Sequence, residues 1–167
     1  TKDVDGDDYG DVTVSGSVVA GTDCNDAAAG VNPGAAEIVD DGIDQDCSGT
    51  DTITCIVDGD QDGFGTVLGT MTLAADGSCD TAGSESTTSD DCDDAAAATF
   101  PGASPNDDLS ACTKDVDGDD YGDVTVSGSV VAGTDCNDAA AGVNPGAAEI
   151  VDDGIDQDCN GTDTITC

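Results

Sequence analysis

The apolar residues of this chain come in short runs set between loops rich in aspartate and glycine. VTVSGSVVAG from Val12 and TVLGTMTLA from Thr66 have strand character, and each predicts a short hairpin, with Ser15-Gly16 as the turn of the first. After the first hairpin, Asp26 stands where it can cap a brief helix over the alanines that follow, with Gly30 ending it. NPGAAE then supplies a turn before Glu37, and its Pro-Gly pair returns at Pro101-Gly102 and Pro145-Gly146. The expected fold is a set of small, irregular, β-rich and loop-rich tandem modules with short hairpins and very short helices.

The tandem character is visible by comparing the chain with itself. Residues 1–55 return as residues 113–167 with one change, Ser48 becoming Asn160. Between them, residues 56–112 form a diverged cousin that opens with DGDQDGFG from Asp58 where the outer units have DVDGDDYG from Asp3 and Asp115. The order is therefore unit A, unit B, unit A, as in a solenoid or beads in line, and the chain reads as a window on a longer array. Modules of about 56 residues are too small for an apolar core to suffice, so another staple is expected.

Composition sharpens that need. There is no Trp, and two Tyr and two Phe are the aromatic residues; the apolar fraction is mostly Ala and Val, which bury little area each. Against this stands a formal charge of -36. Self-repulsion on that scale opposes collapse, so a folded chain of this kind requires a partner for its carboxylates. Of the 38 acids, only Glu37, Glu85 and Glu149 are glutamate. A merely solubilising coat has no reason to avoid glutamate, whereas loops that wrap carboxylates around an ion favour the shorter side chain. Two Lys, no Arg and no His argue against nucleic acid and anionic membranes as partners, and no apolar run is long enough to span a bilayer.

Nine cysteines would ordinarily leave one unpaired. The repeat accounts for it, because Cys167 matches Cys55, whose partner would recur in a following unit. Pairing neighbours in order joins Cys24 to Cys47, Cys55 to Cys79, Cys92 to Cys112 and Cys136 to Cys159, and closes loops of similar length. Each such bridge contributes on the order of 3 kcal/mol in the chain-entropy model. Disulfides at this density place the protein outside the reducing cytosol, and a thiolate zinc site is disfavoured by the absence of His and of any C-x-x-C pair.

The aspartate loops carry the chemistry. Asp58, Asp60 and Asp62, followed by Gly63 and Phe64, put carboxylates at positions 1, 3 and 5 of a calcium loop, with the carbonyl of residue 7 as a further oxygen. The A units give Asp3, Asp5, Asp7, the Tyr9 carbonyl and Asp11, and again Asp115, Asp117, Asp119, the Tyr121 carbonyl and Asp123. There the glycine is displaced: Gly6 and Gly118 fall at position 4, and Asp8 and Asp120 at position 6. No acid stands at position 12, so this is not an ordinary EF-hand. A second loop, D-x-D-x-[SN]-G, comprises Asp44, Asp46 and Ser48, then Asp156, Asp158 and Asn160. Glu37 and Glu149 are further candidate ligands. A third cluster surrounds the first cysteine of each pair: Asp23, Asn25 and Asp26; Asp91, Asp93 and Asp94; Asp135, Asn137 and Asp138. The all-oxygen donor set points to several Ca2+ ions per unit, since calcium tolerates irregular, many-ligand geometry that magnesium resists. Tyr9, Phe64 and Tyr121 are expected as small core anchors.

At these residues a family resemblance enters. The strings D-x-D-x-D-x-[YF]-G, D-C-N-D, V-N-P-G-A-A-E and D-G-I-D-Q-D-C resemble the MopE-type metal-binding repeat of secreted and surface proteins, named for a copper-binding protein. The resemblance covers most of each A unit and implies an extracellular metal-binding module. The family often carries a cysteine where this chain has Asp40 and Asp152, and the B unit lacks the closing string. With no His and only Met71 as a soft donor, copper ranks below calcium. The aspartate loops also resemble thrombospondin type 3 repeats, another calcium-ordered, cysteine-linked array.

The chain thus reads as an extracellular or cell-surface calcium-binding structural repeat protein, part of a stalk, fibre or filament, with neighbouring repeats and its own copies as partners. A calcium-dependent adhesin or ligand-binding region is the alternative. Without His, Arg or a nucleophile motif, an enzyme is not expected. Asn160-Gly161-Thr162 forms a sugar-attachment sequon, and SESTTS from Ser84 offers hydroxyls for O-linked sugars.

Overall fold

The computed structural model describes all residues, Thr1 to Cys167. Regular structure is sparse: β1 (Ile53–Val57), β2 (Met71–Ala74), a single 3-10 turn (Thr81–Gly83), β3 (Glu85–Ser86), β4 (Thr99–Pro101) and β5 (Cys112–Lys114). No helix is long and apolar enough to cross a membrane. The expectation of irregular modules stapled by disulfides holds, and the four bridges join Cys24 to Cys47, Cys55 to Cys79, Cys92 to Cys112 and Cys136 to Cys159, leaving Cys167 free.

Two compact units are distinguished, one of residues Thr1–Cys55 with Met71–Cys79, the other of Ile56–Thr70 with Asp80–Cys167. In the first, the Cys55–Cys79 bridge ties the middle of β1 to the segment that follows β2, and Thr50 Oγ1 donates to the Ala75 carbonyl at 2.9 Å. In the second, the end of β1 pairs antiparallel with β3, Ile56 opposite Ser86 and Val57 opposite Glu85, while β4 pairs antiparallel with β5. Phe64 stacks on Phe100 with ring centroids 5.2 Å apart. Asp107 fastens the last repeat to the one before it, accepting from Gly122 N at 2.7 Å and from both the N–H and the hydroxyl of Thr134.

Three of the expected elements do not form. Residues 12–21 make no hairpin; they turn at Gly16, and Val12, Val18 and Val19 stay exposed because no second layer offers a face to bury them. Within 66–74 only β2 is a strand, and it lies beside β1 rather than beside Thr66–Gly69, which folds into a turn closed by Gly69 N on the Thr66 carbonyl. The alanines after Asp26 form consecutive turns, with Ala27 and Ala28 both donating to the Asn25 carbonyl, and no helix. Asp26 does not cap them; its carboxylate is used elsewhere. The NPGAAE turn is present, with Gly34 N donating to Asn32 Oδ1 at 2.8 Å.

What lies inside is polar. Cys55 and Ala74 are the buried apolar residues, whereas the largest fully buried side chains are Thr113, Asp23, Asp58, Asp91, Asp135 and Ser104. An interior of aspartate inverts the usual partition, since an ionised carboxylate is costly to remove from water unless something compensates its charge.

Candidate metal centres

The opening loop of each repeat is shaped by its own first carboxylate. Asp3 accepts from the N–H groups of Gly6 and Asp8, Asp58 from Gln61 and Gly63, and Asp115 from Gly118 and Asp120. These hydrogen bonds bend the chain so that positions 4 and 6 both take left-handed backbone: Gly6 and Asp8, Gln61 and Gly63, Gly118 and Asp120. The displaced glycine is thereby explained. Each loop needs two left-handed residues and supplies one glycine, placing at the other an aspartate or glutamine able to adopt that conformation.

A recurring parallel bridge then brings the loop against the cysteine cluster. Asp11 pairs with Asp23, Thr66 with Asp91 and Asp123 with Asp135. Asp23 N donates to the Gly10 carbonyl at 2.9 Å, Asp91 N to Gly65 at 3.1 Å and Asp135 N to Gly122 at 2.8 Å. Glycine is required at this crossing: a Cβ on Gly65 would lie 2.6 Å from the Thr88 carbonyl oxygen, and one on Gly122 2.6 Å from Ser104 Oγ. The neighbouring disulfide fixes the same segment, with Cys24 N donating to Cys47 Sγ. Although Asp23, Cys24 and Cys47 lie close enough to form a ligand triad, the two sulfurs are bonded to each other and offer no thiolate.

Carboxylate oxygens without partners converge as a result. In the first repeat, both oxygens of Asp5 and the Oδ2 atoms of Asp7 and Asp23 are buried and accept no hydrogen bond. The second repeat leaves the Oδ2 atoms of Asp60, Asp62 and Asp91 in that state, and the third both oxygens of Asp117 and Oδ2 of Asp135. The other oxygen of Asp7 and Asp62 accepts from the N–H of Tyr9 and Phe64, and that of Asp23, Asp91 and Asp135 from Asn25, Asp93 and Asn137; Asp119 has both oxygens engaged, by Tyr121 N and by Asn144 Nδ2. One carboxylate oxygen of each lies within 4.8 Å of the others in the groups Asp3, Asp5, Asp7 and Asp5, Asp23, Asp26. Such an arrangement is expensive in the absence of a cation. Burial, followed by repulsion from Asp60, Asp91 and Asp58, lifts the Asp62 carboxyl to about 6. Burial, followed by Asp119, Asp117 and Asp138, lifts Asp135 to about 6. Asp5, Asp91 and Asp117 are raised for the same reasons.

The outer acids are differently engaged. Asp26 accepts from Val4 N at 2.9 Å and from Lys2 Nζ at 2.7 Å, and Asp11 from Thr13 N and Lys2; in the last repeat Asp138 and Asp123 meet Lys114 in the same way. Asp94 accepts from Gly59 N at 2.8 Å. Asn25, Asp93 and Asn137 are exposed. Tyr9 and Tyr121 are half-buried on the Pro-Gly turns, where a Cβ on Gly146 would fall 2.8 Å from the Tyr121 hydroxyl.

The closing loop of each A unit forms a second kind of cluster. Glu37, Asp44 and Asp46 each bring one oxygen within 4.8 Å of the others. Asp44 accepts from Ser48 N and Gly49 N, and Glu37 from Asp46 N and Thr52 N. The last repeat matches, with Asp156 holding Asn160 N and Gly161 N, and Glu149 holding Asp158 N and Thr164 N. Ser48 Oγ turns to the Thr50 carbonyl, and Asn160 Oδ1 to Thr162. Sequence reasoning missed one acid here. Asp51, and Asp163 in the last repeat, hold Gly42 N and Gly154 N with Oδ2 and keep Oδ1 buried without a partner. The legible signal was an acid two residues after the loop glycine in both copies.

The donor set fits a cation: buried, converging, unpartnered oxygens in every repeat, with Asp5, Asp7 and Asp23 as the inner set of the first opening loop. A family model described as "Putative metal-binding motif", of the copper-binding MopE type, matches residues 23–51, 91–104 and 135–163. The matched segments begin at the buried Asp23, Asp91 and Asp135, and the two longer ones run through the closing loop to Asp51 and Asp163. The match covers the strings D-C-N-D, V-N-P-G-A-A-E and D-G-I-D-Q-D-C in both outer units and the D-C-D-D and Pro-Gly segment of the middle one, while the opening D-x-D-x-D-x-[YF]-G loops lie outside it. No curated protein and no solved structure matches the chain.

Proposed function

From three copies of a metal-binding motif, we propose that this chain is a calcium-ordered structural repeat segment, working outside the cell or at its surface as part of a stalk, fibre or filament that assembles from neighbouring repeats and further copies. The observation that carries the proposal is the burial of unpartnered aspartate oxygens where other proteins place an apolar core. Calcium is the ion because the donors are carboxylates, varied in number and irregular in placement, which suits a large hard cation better than magnesium. Copper chemistry would call on imidazole, thiolate or thioether, and this chain has no His, eight of its nine cysteines in disulfides, and as soft donors the exposed Cys167 and Met71, neither of them among the clustered carboxylates. Bound ions supply charge neutralisation and cross-linking of loop segments; no chemical conversion is assigned to them, and the chain is not an enzyme.

Oxidised protein is to be melted with calcium and with chelator, and its assemblies imaged by negative stain. Loss of both cooperative melting and fibres on chelation is the expected result. An unchanged melting temperature in chelator would refute the proposal. Retained folding with calcium-dependent capture of a partner would instead favour an adhesin.

A further inference from the structure

The three opening loops share a backbone but not their surroundings. Asp11 N donates to the Lys2 carbonyl, Thr66 N to that of Val57 and Asp123 N to that of Lys114, so these pairs occupy equivalent places. Val4 N on Asp26, Gly59 N on Asp94 and Val116 N on Asp138 make the outer acids equivalent as well. In the outer repeats the acid's second oxygen is held by a lysine, 2.7 Å from Lys2 in Asp26 and 2.6 Å from Lys114 in Asp138. The middle repeat has Val57 in place of that lysine, and Asp94 has no cation beside it.

Asp26 lies at the meeting of two demands, because one of its oxygens is also within 4.8 Å of ligand oxygens of Asp5 and Asp23. An ammonium and a metal ion therefore compete for the same carboxylate. Asp11 and Asp123 also bind that ammonium, at 3.4 and 2.7 Å, and offset its charge, while Thr66 carries none, so the three surroundings differ in local availability of the outer acid more than in net charge. A second feature points to an ion at each place: Asp23, Asp91 and Asp135 are almost wholly buried and each directs an unpartnered oxygen into its cluster.

We infer that Lys2 and Lys114 are affinity-setting residues, tethered competitors for Asp26 and Asp138 that make the outer opening loops bind their ions more weakly than the middle loop. Ions then fill the middle repeat first, and the outer loops respond to higher concentrations. A unit charge acting across several ångströms at the effective dielectric of a protein surface changes affinity about tenfold to a hundredfold. The effect declines as salt screens it.

The inference rests on metal binding by these loops, and terbium separates the two. Bound terbium luminesces when a nearby tyrosine is excited, and the outer loops carry Tyr9 and Tyr121 where the middle loop has Phe64. Phe64→Tyr adds a reporter to the middle loop of the otherwise native full chain. Its signal is expected to saturate at about tenfold lower free terbium than that of Tyr9 and Tyr121. Lys2→Met with Lys114→Met should draw the outer signal to lower terbium, Lys→Arg at both should leave it near the native midpoint, and Val57→Lys should weaken the Phe64→Tyr signal. A common midpoint for all three loops, or an outer midpoint unmoved by Lys→Met in protein with native circular dichroism, would overturn this inference while leaving metal binding intact. No tyrosine-sensitised signal at any concentration would overturn both.

Discussion

Replacing the buried Asp135 by Asn should change stability with opposite signs in the presence and absence of calcium. Asp135 is fully buried, its Oδ1 accepts from Asn137 N at 2.8 Å and its Oδ2 has no partner. Asparagine retains the first contact and turns an amide toward Asp117 and Asp119, whose charges help raise the Asp135 carboxyl. A carboxyl lifted from 3.8 to about 6 burdens the ionised folded state by on the order of 3 kcal/mol at neutral pH. Metal-free Asp135→Asn should therefore be more stable than the native protein by about 1–3 kcal/mol, allowing for relaxation of the empty loop. With saturating calcium the same change removes a charged ligand, and a tenfold to hundredfold loss of affinity corresponds to about 1.4–2.8 kcal/mol of lost stability. The pH dependence has a defined sign. Because the folded carboxyl titrates above the unfolded one, its unfavourable contribution is complete above about 6 and disappears below 3.8, so metal-free native protein gains stability from this group as pH falls through that window. In calcium, protons compete with the ion and the trend reverses. Urea denaturation of both proteins, in chelator and in calcium, between pH 7 and pH 4 is the assay. Destabilisation of equal size in both buffers would refute the reasoning, since the aspartate would then be a structural acceptor unrelated to an ion.

Asp51→Ala should remove an ion from the first closing loop, read as a reduced calcium stoichiometry in native mass spectrometry, with Asp163→Ala doing the same in the last repeat. Gly122→Ala should destabilise by roughly 1–3 kcal/mol in a thermal melt, because the new methyl meets Ser104 Oγ and the Lys114 carbonyl where the loop crosses its partner segment. Asp120→Gly should leave ion stoichiometry unchanged and raise stability by up to about 1 kcal/mol in calcium, since it relieves a non-glycine left-handed residue while its N–H keeps the Asp115 contact.

The repeat frame, the four disulfides, the Pro-Gly turns and the aspartate loops were legible in the sequence because each is written in local spacing: alternating carboxylates, cysteines at recurrent intervals, and glycine beside proline. The two hairpins and the alanine helix were not, although their local signals were sound. Propensity is a weak local preference, and here the backbone groups of residues 10–12 are taken by Lys2 and Asp23, while Asp26 is drawn away from the alanines by Val4 N and Lys2. Only the tertiary structure decided which of 38 acids face inward. Asp23, Asp91 and Asp135 are buried by a parallel bridge between segments that are not consecutive, and Asp51 joins the closing loop through Gly42 N. Sequence spacing set the supply of carboxylates; long-range hydrogen bonds and disulfide closure determined which of them were left without partners, because desolvation of an oxygen depends on what the fold lays over it.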